Sequence, residues 1–152
     1  MPVTLLPGDV LLYGATSLSD LVVSLKTWSK AVHCELYIGD NQCIASRPGK
    51  GTDIYQIKPG YIEVRRPSVS FNLDRIVTEF NTNLRHKKYD WVGLLSFLLP
   101  RNTVGSKNKY TCSELVAELF KRAGSPLFAT DYPLIKIAPA QYQQAWTLYP
   151  VK

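Results

Sequence analysis

The chain has 152 residues, 45% of them apolar and 20% charged, the balance of a folded globular protein with material for one core. That composition excludes a disordered tail, a collagen-like fibre and a disulfide scaffold, and three cysteines cannot all pair within one chain. Eighteen basic against twelve acidic side chains leave a net charge of +6 and a pI near 9.3, which favours anionic partners without naming one.

The spacing of Cys34, Cys43 and Cys112 contains no CxxC pair, which argues against a structural zinc site. Free thiols point to a reducing compartment, or to one special thiol beside two buried ones. The opening Met1-Pro2-Val3-Thr4-Leu5-Leu6-Pro7 lacks the basic region and apolar run of a signal peptide. The longest apolar stretch, 91–99, falls well short of the roughly 20 residues that span a bilayer. Together these features predict a cytoplasmic location.

In chain order, Pro7-Gly8-Asp9 predicts a turn and Val10-Leu11-Leu12-Tyr13 a strand. Ser17 or Ser19 can cap a helix carrying Leu21, Val22, Leu25 and Trp28 at helical spacing. The stretch 31–38 predicts a strand, Gly39-Asp40-Asn41 a turn, and Cys43-Ile44-Ala45-Ser46 the returning arm of a hairpin. Two more short strands follow around 54–57 and 61–65, across Pro59-Gly60. The spacing of Ile76, Val77, Phe80 and Leu84 predicts an amphipathic helix over 72–87. Asp90 can cap a buried apolar helix over 91–99, and the polar stretch 101–109 predicts a loop. Thr111 can cap a helix with Leu115, Val116, Leu119 and Phe120 on its core face, ending at Gly124. Pro139 opens a last short helix, and 146–151 predicts an edge strand. No repeat or linker interrupts the chain. The pattern predicts one α+β domain over residues 1–152, an antiparallel sheet packed against helices.

Two segments carry chemical character. Thr111-Cys112-Ser113-Glu114 puts a cysteine in the first turn of a helix, where free amide groups and the positive end of the dipole favour a thiolate. The second is the apolar strand carrying His33. An imidazole beside the thiol can shuttle its proton. The other histidine, His86, lies in the basic run Arg85-His86-Lys87-Lys88 and reads as solvated.

Pro7-Gly8-Asp9-Val10-Leu11-Leu12, His33-Cys34-Glu35-Leu36-Tyr37-Ile38-Gly39-Asp40 and Tyr110-Thr111-Cys112-Ser113-Glu114-Leu115-Val116 resemble segments of the NlpC-type papain-like cysteine peptidases. Here the histidine strand precedes the cysteine helix, as in the circularly permuted branch. Tyr89-Asp90-Trp91 and the Cys-Ser-Glu-Leu tetrapeptide are most similar to its YiiX-like group. The resemblance covers about residues 7–124 and implies a permuted papain-like (NlpC-type) fold. It implies a cysteine hydrolase, an amidase or peptidase, with Cys112 as nucleophile and His33 as proton carrier. The backbone N–H of Cys112, with Tyr110 lining the site, would serve the oxyanion. No metal and no cofactor are implied. The substrate would be a peptide or another amide, such as a peptidoglycan stem peptide or an isopeptide.

In this superfamily a third polar residue on the following strand fixes the imidazole, and the ungapped equivalent here is Ala45, which cannot accept a hydrogen bond. Glu35, two residues from His33 and on the same face of the strand, can replace it or occupy the substrate pocket; it can also be an ordinary exposed strand glutamate. Ser46, Gln42 and Asp53 are weaker orienters, so the third role stays open. Cys34 is expected to face the core, opposite His33, and Cys43 to pack.

Ala45 also motivates an alternative, a catalytically weakened binding module of the same fold. A third reading, lipid acyl transfer or thioester hydrolysis, would bring membrane association, which is the less favoured partner. Arg101, Lys107 and Lys109 would recruit an acidic substrate if they flank the cleft. No nucleic-acid-binding motif accompanies the basic runs, so nucleic acid is not an expected partner.

Overall fold

The structure is a computed structural model and describes residues 3–17, 20, 24, 28–98, 108–133 and 137–151, without the side chains of 95–98. The strands are β1 (Val10–Tyr13), β2 (His33–Gly39), β3 (Gln42–Arg47), β4 (Gly51–Gln56), β5 (Tyr61–Pro67), β6 (Lys88–Tyr89), β7 (Lys109–Tyr110) and β8 (Leu148–Val151). The helices are α1 (Leu73–Glu79), α2 (Trp91–Leu98), α3 (Cys112–Arg122) and α4 (Pro139–Gln144). Six strands form one antiparallel sheet in the order β4-β3-β2-β1-β5-β8, and β6 pairs with β7 in a small parallel ribbon.

Strand alternation sorts the sheet into two faces. Val10, Leu12, Cys34, Leu36 and Ile44 point to one side and close the main core with Ile76, Phe80, Leu115, Val116, Leu119 and Phe120 of the helices. Leu11, Tyr13 and Val64 point to the other side, where Tyr37, Ile57 and Tyr61 cover them. His33 and Glu35 share that second face by the same alternation, and Cys34 lies in the main core, as expected. The β2–β3 hairpin closes on Asp40 and Asn41 at φ 49° and 59°, the left-handed pair whose twist matches that of the strands.

Asn72 caps α1 by accepting from the Arg75 N–H at 3.0 Å. The predicted single helix over 72–87 is shorter: α1 passes into a π-helical turn, Phe80–Leu84, and Arg85 is already extended. The core face survives the change, since Ile76, Phe80 and Leu84 are all buried. Gly51 then allows close passage of the chain, at φ +80°. A Cβ there would lie 2.2 Å from the Lys87 carbonyl oxygen. Thr52 ties the same junction through its hydroxyl to Leu84 O at 2.5 Å, and this delivers β6 beside β7.

Helix α2 departs from expectation. It begins at Trp91 after the Asp90 cap, whose Oδ1 accepts from the Gly93 N–H at 2.9 Å, but it is not a buried helix throughout. Trp91 and Val92 are 48% and 57% exposed, and Trp91 and Leu94 line a cleft. Trp28 was expected on a helix with Leu21, Val22 and Leu25; it sits in a turn at φ 52°, 96% exposed. Leu21, Val22 and Leu25 of that helix, and 101–107 of the basic loop, lie outside the described residues.

Candidate active site

Cys112 is the first residue of α3, and the turn that carries it is fixed from several sides. Thr111 and Glu114 form a capping box, with the Thr111 N–H donating to Glu114 Oε2 at 2.8 Å and the Glu114 N–H to Thr111 Oγ1 at 3.4 Å. Ser113 Oγ donates to Ile137 O at 2.5 Å, and the buried Tyr142 hydroxyl donates to Ser113 O at 2.7 Å. The thiol is 4% exposed and borders a cavity of about 30 Å³ beside Val32, Tyr89, Leu94 and Ile137.

His33 opens β2 and lies close enough to Cys112 for the charge of each to act on the other. Its Nε2 lies 3.0 Å from Glu35 Oε1. A carboxylate accepts, so Nε2 carries a proton and Nδ1 is the nitrogen left for the sulfur. Glu35 is fully buried. Arg47 grips it from the neighbouring strand, Nε to Oε1 at 2.8 Å and an Nη2 hydrogen bond to Oε2 at 3.0 Å. Cys43 donates its S–H to Oε2 at 2.9 Å, and the Tyr13 hydroxyl lies 3.4 Å from the same oxygen. The Tyr13 ring also stands 5.8 Å from the imidazole, tilted by 50°.

The electrostatics follow from this packing. Burial pushes Glu35 up, but hydrogen bonds from His33, Arg47 and Cys43 outweigh it and bring the carboxyl down to about 2. Burial disfavours the His33 cation, yet the Cys112 sulfur and Glu35 reverse this and raise the imidazole to about 9. A hydrogen bond from the Cys34 thiol and the charge of His33 hold Cys112 well below the usual thiol range, against its burial. Burial pushes Cys34 up, and so does its contact with Cys112, so it stays a thiol. Burial and the Glu35 charge do the same to Cys43. The arrangement thus favours a thiolate at Cys112 facing an imidazolium at His33.

The sequence candidates separate clearly. Cys112, His33 and Glu35 come together. Tyr110 does not line the cavity: its ring lies near Glu118 and Arg122, and it is the Tyr110 carbonyl that accepts from Ser46 Oγ at 2.6 Å. Ser46 is therefore engaged elsewhere, and Asp53 pairs with Arg85 at 2.7 Å. Gln42 lies at the far end of β3, beside Gly39. Lys109 pairs with Lys88 across the small ribbon, and Arg101 and Lys107 lie outside the described residues.

Two contributors carried no sequence signal, and a third, Tyr89, was marked only as part of the Tyr89-Asp90-Trp91 motif. Arg47 stands fourteen positions from His33 and reaches Glu35 only through the sheet. Tyr13 belongs to an apolar run. Tyr89 borders both the Cys112 cavity and a cleft of about 520 Å³. That cleft is lined by His33, Tyr13, Val32, Ile62, Trp91 and Leu94, with Asp20 and Lys58 also at its wall.

No protein-family profile matches the chain. In sequence it is similar to the probable lipoprotein peptidase YaeF of Escherichia coli strain K12, 21% identical over 157 aligned positions. The match covers 80% of this chain and 57% of that protein, so the chain spans a little over half the length of this curated relative. In three dimensions it is similar to the crystal structure of YiiX, a metalloprotein of Escherichia coli O157:H7, with a TM-score of 0.70. The identity is 16%, and 96% of each chain is covered. The chain therefore has the YiiX-like α+β fold that its motifs imply. Among the described residues no group of three or more His, Cys, Asp or Glu side chains is placed to hold a metal ion. Among the same residues, no helix is long and apolar enough to cross a membrane.

Proposed function

We propose that this chain, built on the YiiX-like fold, is a cysteine hydrolase that cleaves an amide through Cys112 and His33. The single observation that carries the reading is the buried grouping of Cys112, His33 and Glu35, with the cysteine at a helix start beside the imidazole and the imidazole bonded to the carboxylate. Likeness to a probable peptidase supports the reaction class.

In this reading the Cys112 thiolate attacks the carbonyl carbon and the negative charge moves to the carbonyl oxygen. The Cys112 N–H has no carbonyl four residues back within α3, so it is free to donate to that oxygen. Protonated His33 then gives its proton to the leaving nitrogen, the C–N bond breaks, and a thioester remains. Neutral His33 next takes a proton from water, whose oxygen attacks the thioester. The acid leaves, and the proton stays on the imidazole to restore the starting pair. Glu35 would fix the ring so that Nδ1 faces the sulfur throughout.

The cleft beside His33 supplies the binding surface. Tyr13, Val32, Ile62, Trp91 and Leu94 make it largely apolar, which suits a substrate with an apolar flank next to the scissile bond. The same lining favours a second reading, an acyl ester or thioester substrate handled by the same pair. Turnover of peptide amides and of acyl thioesters by the intact protein decides between them. Cys112→Ala and His33→Ala are each expected to lower turnover of the preferred substrate by ~10²-fold or more. Unchanged turnover in Cys112→Ala would remove the proposal.

A further inference from the structure

Arg47 makes more contacts at the site than a strand-end arginine needs. Its guanidinium donates twice to the buried Glu35 carboxylate and once to the Gln56 carbonyl at 2.9 Å, and it stacks 4.3 Å from the centre of the Tyr55 ring. The side chain is 11% exposed, so the pair stands out of water with its geometry fixed from both ends. Ile44 pairs with Leu36 and Cys43 with Tyr37. Continuing that register sets Ala45 across from Glu35 and Arg47 across from His33. Ala45 is fully buried, and its single methyl leaves the space that the Glu35 carboxylate and the guanidinium occupy.

We propose that Arg47 is a positioning residue of the Cys112–His33 site, acting through Glu35. It keeps a carboxylate charged where water cannot, and holds its Oε1 against His33 Nε2. The inference rests on the reading of Cys112 and His33 as the reacting pair. The groups facing Glu35 are His33 on its own strand, Tyr13 from β1, and Cys43 and Arg47 from β3, with Tyr55 of β4 behind the guanidinium. Of these only Arg47 and protonated His33 bring positive charge. Without Arg47 the carboxyl takes up a proton more readily, the imidazolium loses its counter-charge, and the Cys112 thiolate loses its partner.

The test is the pH dependence of Cys112 alkylation by iodoacetamide, read by peptide mass, in the full chain and in Arg47→Met, Arg47→Lys, Glu35→Gln and the Arg47→Met/Glu35→Gln double variant. Arg47→Met and Glu35→Gln should each raise the acid limb by about one pH unit or more, which lowers the rate on that limb about tenfold. The double variant should be no worse than Glu35→Gln alone, because Arg47 acts through that carboxylate. Arg47→Lys should keep the wild-type limb.

An unmoved limb in Arg47→Met, or a double variant whose loss is the product of the two singles, overturns the proposal. If Arg47→Met does not fold, the double variant, which leaves no buried charge unpaired, and Arg47→Lys decide by the same criteria. If Cys112 of the wild-type protein is not selectively alkylated, the reading of the reacting pair falls and this inference falls with it. A selective wild type with an unmoved Arg47→Met removes this inference alone.

Discussion

His33 and Glu35, two residues apart on β2, meet through Nε2 and Oε1 at 3.0 Å, so one strand carries both the imidazole and the carboxylate it donates to. A strand repeats its faces every second residue, and this places both side chains on one side of the sheet. In the proposed site the orientation of the imidazole would therefore depend on a single strand and on the arginine that bonds Glu35 from β3.

Glu35→Gln keeps the volume of the side chain and removes its charge, leaving Arg47 buried beside an amide. The expected cost is ~3–5 kcal/mol of folding stability, that of breaking a buried ion pair, read by urea denaturation. Activity per folded molecule should fall by ~10–100-fold. A stable variant with full activity would show that Glu35 serves neither role.

Ala45→Glu or Ala45→His tests whether the site lacks an orienting group. Ala45 is fully buried, and the β2–β3 register continued by one residue sets it across from Glu35, so a larger side chain overpacks the space and the glutamate adds a second carboxylate beside the first. Both variants should lose ~1–3 kcal/mol and gain no thiol reactivity. A rise in Cys112 reactivity would instead favour the catalytically weakened binding module.

The strand pattern was largely legible. The apolar runs at 10–13, 31–38 and 43–46, set off by turn residues, mark the central strands, and Thr111 with Glu114 three residues on marks the start of α3, which fixes Cys112 in its first turn. The partners of Glu35 were not legible, because contacts between β2 and β3 depend on cross-strand register, and one residue of slip would turn Arg47 to the other face. The exposure of Trp91 and Val92 was hidden for a related reason. An apolar run looks the same whether it lines a core or a cleft, and only the arrangement of β1, β5 and α2 around one space separates the two. The π-helical turn at Phe80–Leu84 keeps the helical spacing of its buried residues and so leaves no mark in the pattern.

Acid stability should report on the carboxylate. The folded-state value of Glu35 is depressed to about 2 from 4.5. Its stabilising contribution is therefore complete above about 4.5 and is lost as pH falls from there through about 2. Thermal melts of the wild type should decline over that window, and the decline should be smaller in Arg47→Met/Glu35→Gln. Equal declines in both would place the acid sensitivity elsewhere.

Trp91→Ala probes the cleft. The indole is half-exposed at the start of α2 and stacks edge-on against Tyr89 at 5.0 Å. Its loss should raise KM about fivefold, the equivalent of ~1 kcal/mol of apolar contact, with kcat nearly unchanged. A fall in kcat at constant KM would mean that the cleft is not where substrate binds.

The most direct measurement is the reactivity of the three thiols toward iodoacetamide between pH 5 and 10 in the folded protein. The account predicts that Cys112 is alkylated selectively at pH 6, well below the range of an ordinary thiol. Cys34 and Cys43 should stay unlabelled, and the Cys112 reactivity should change again as His33 loses its proton near 9. Equal labelling of all three cysteines, or a Cys112 that reacts only above pH 8.5, would contradict it.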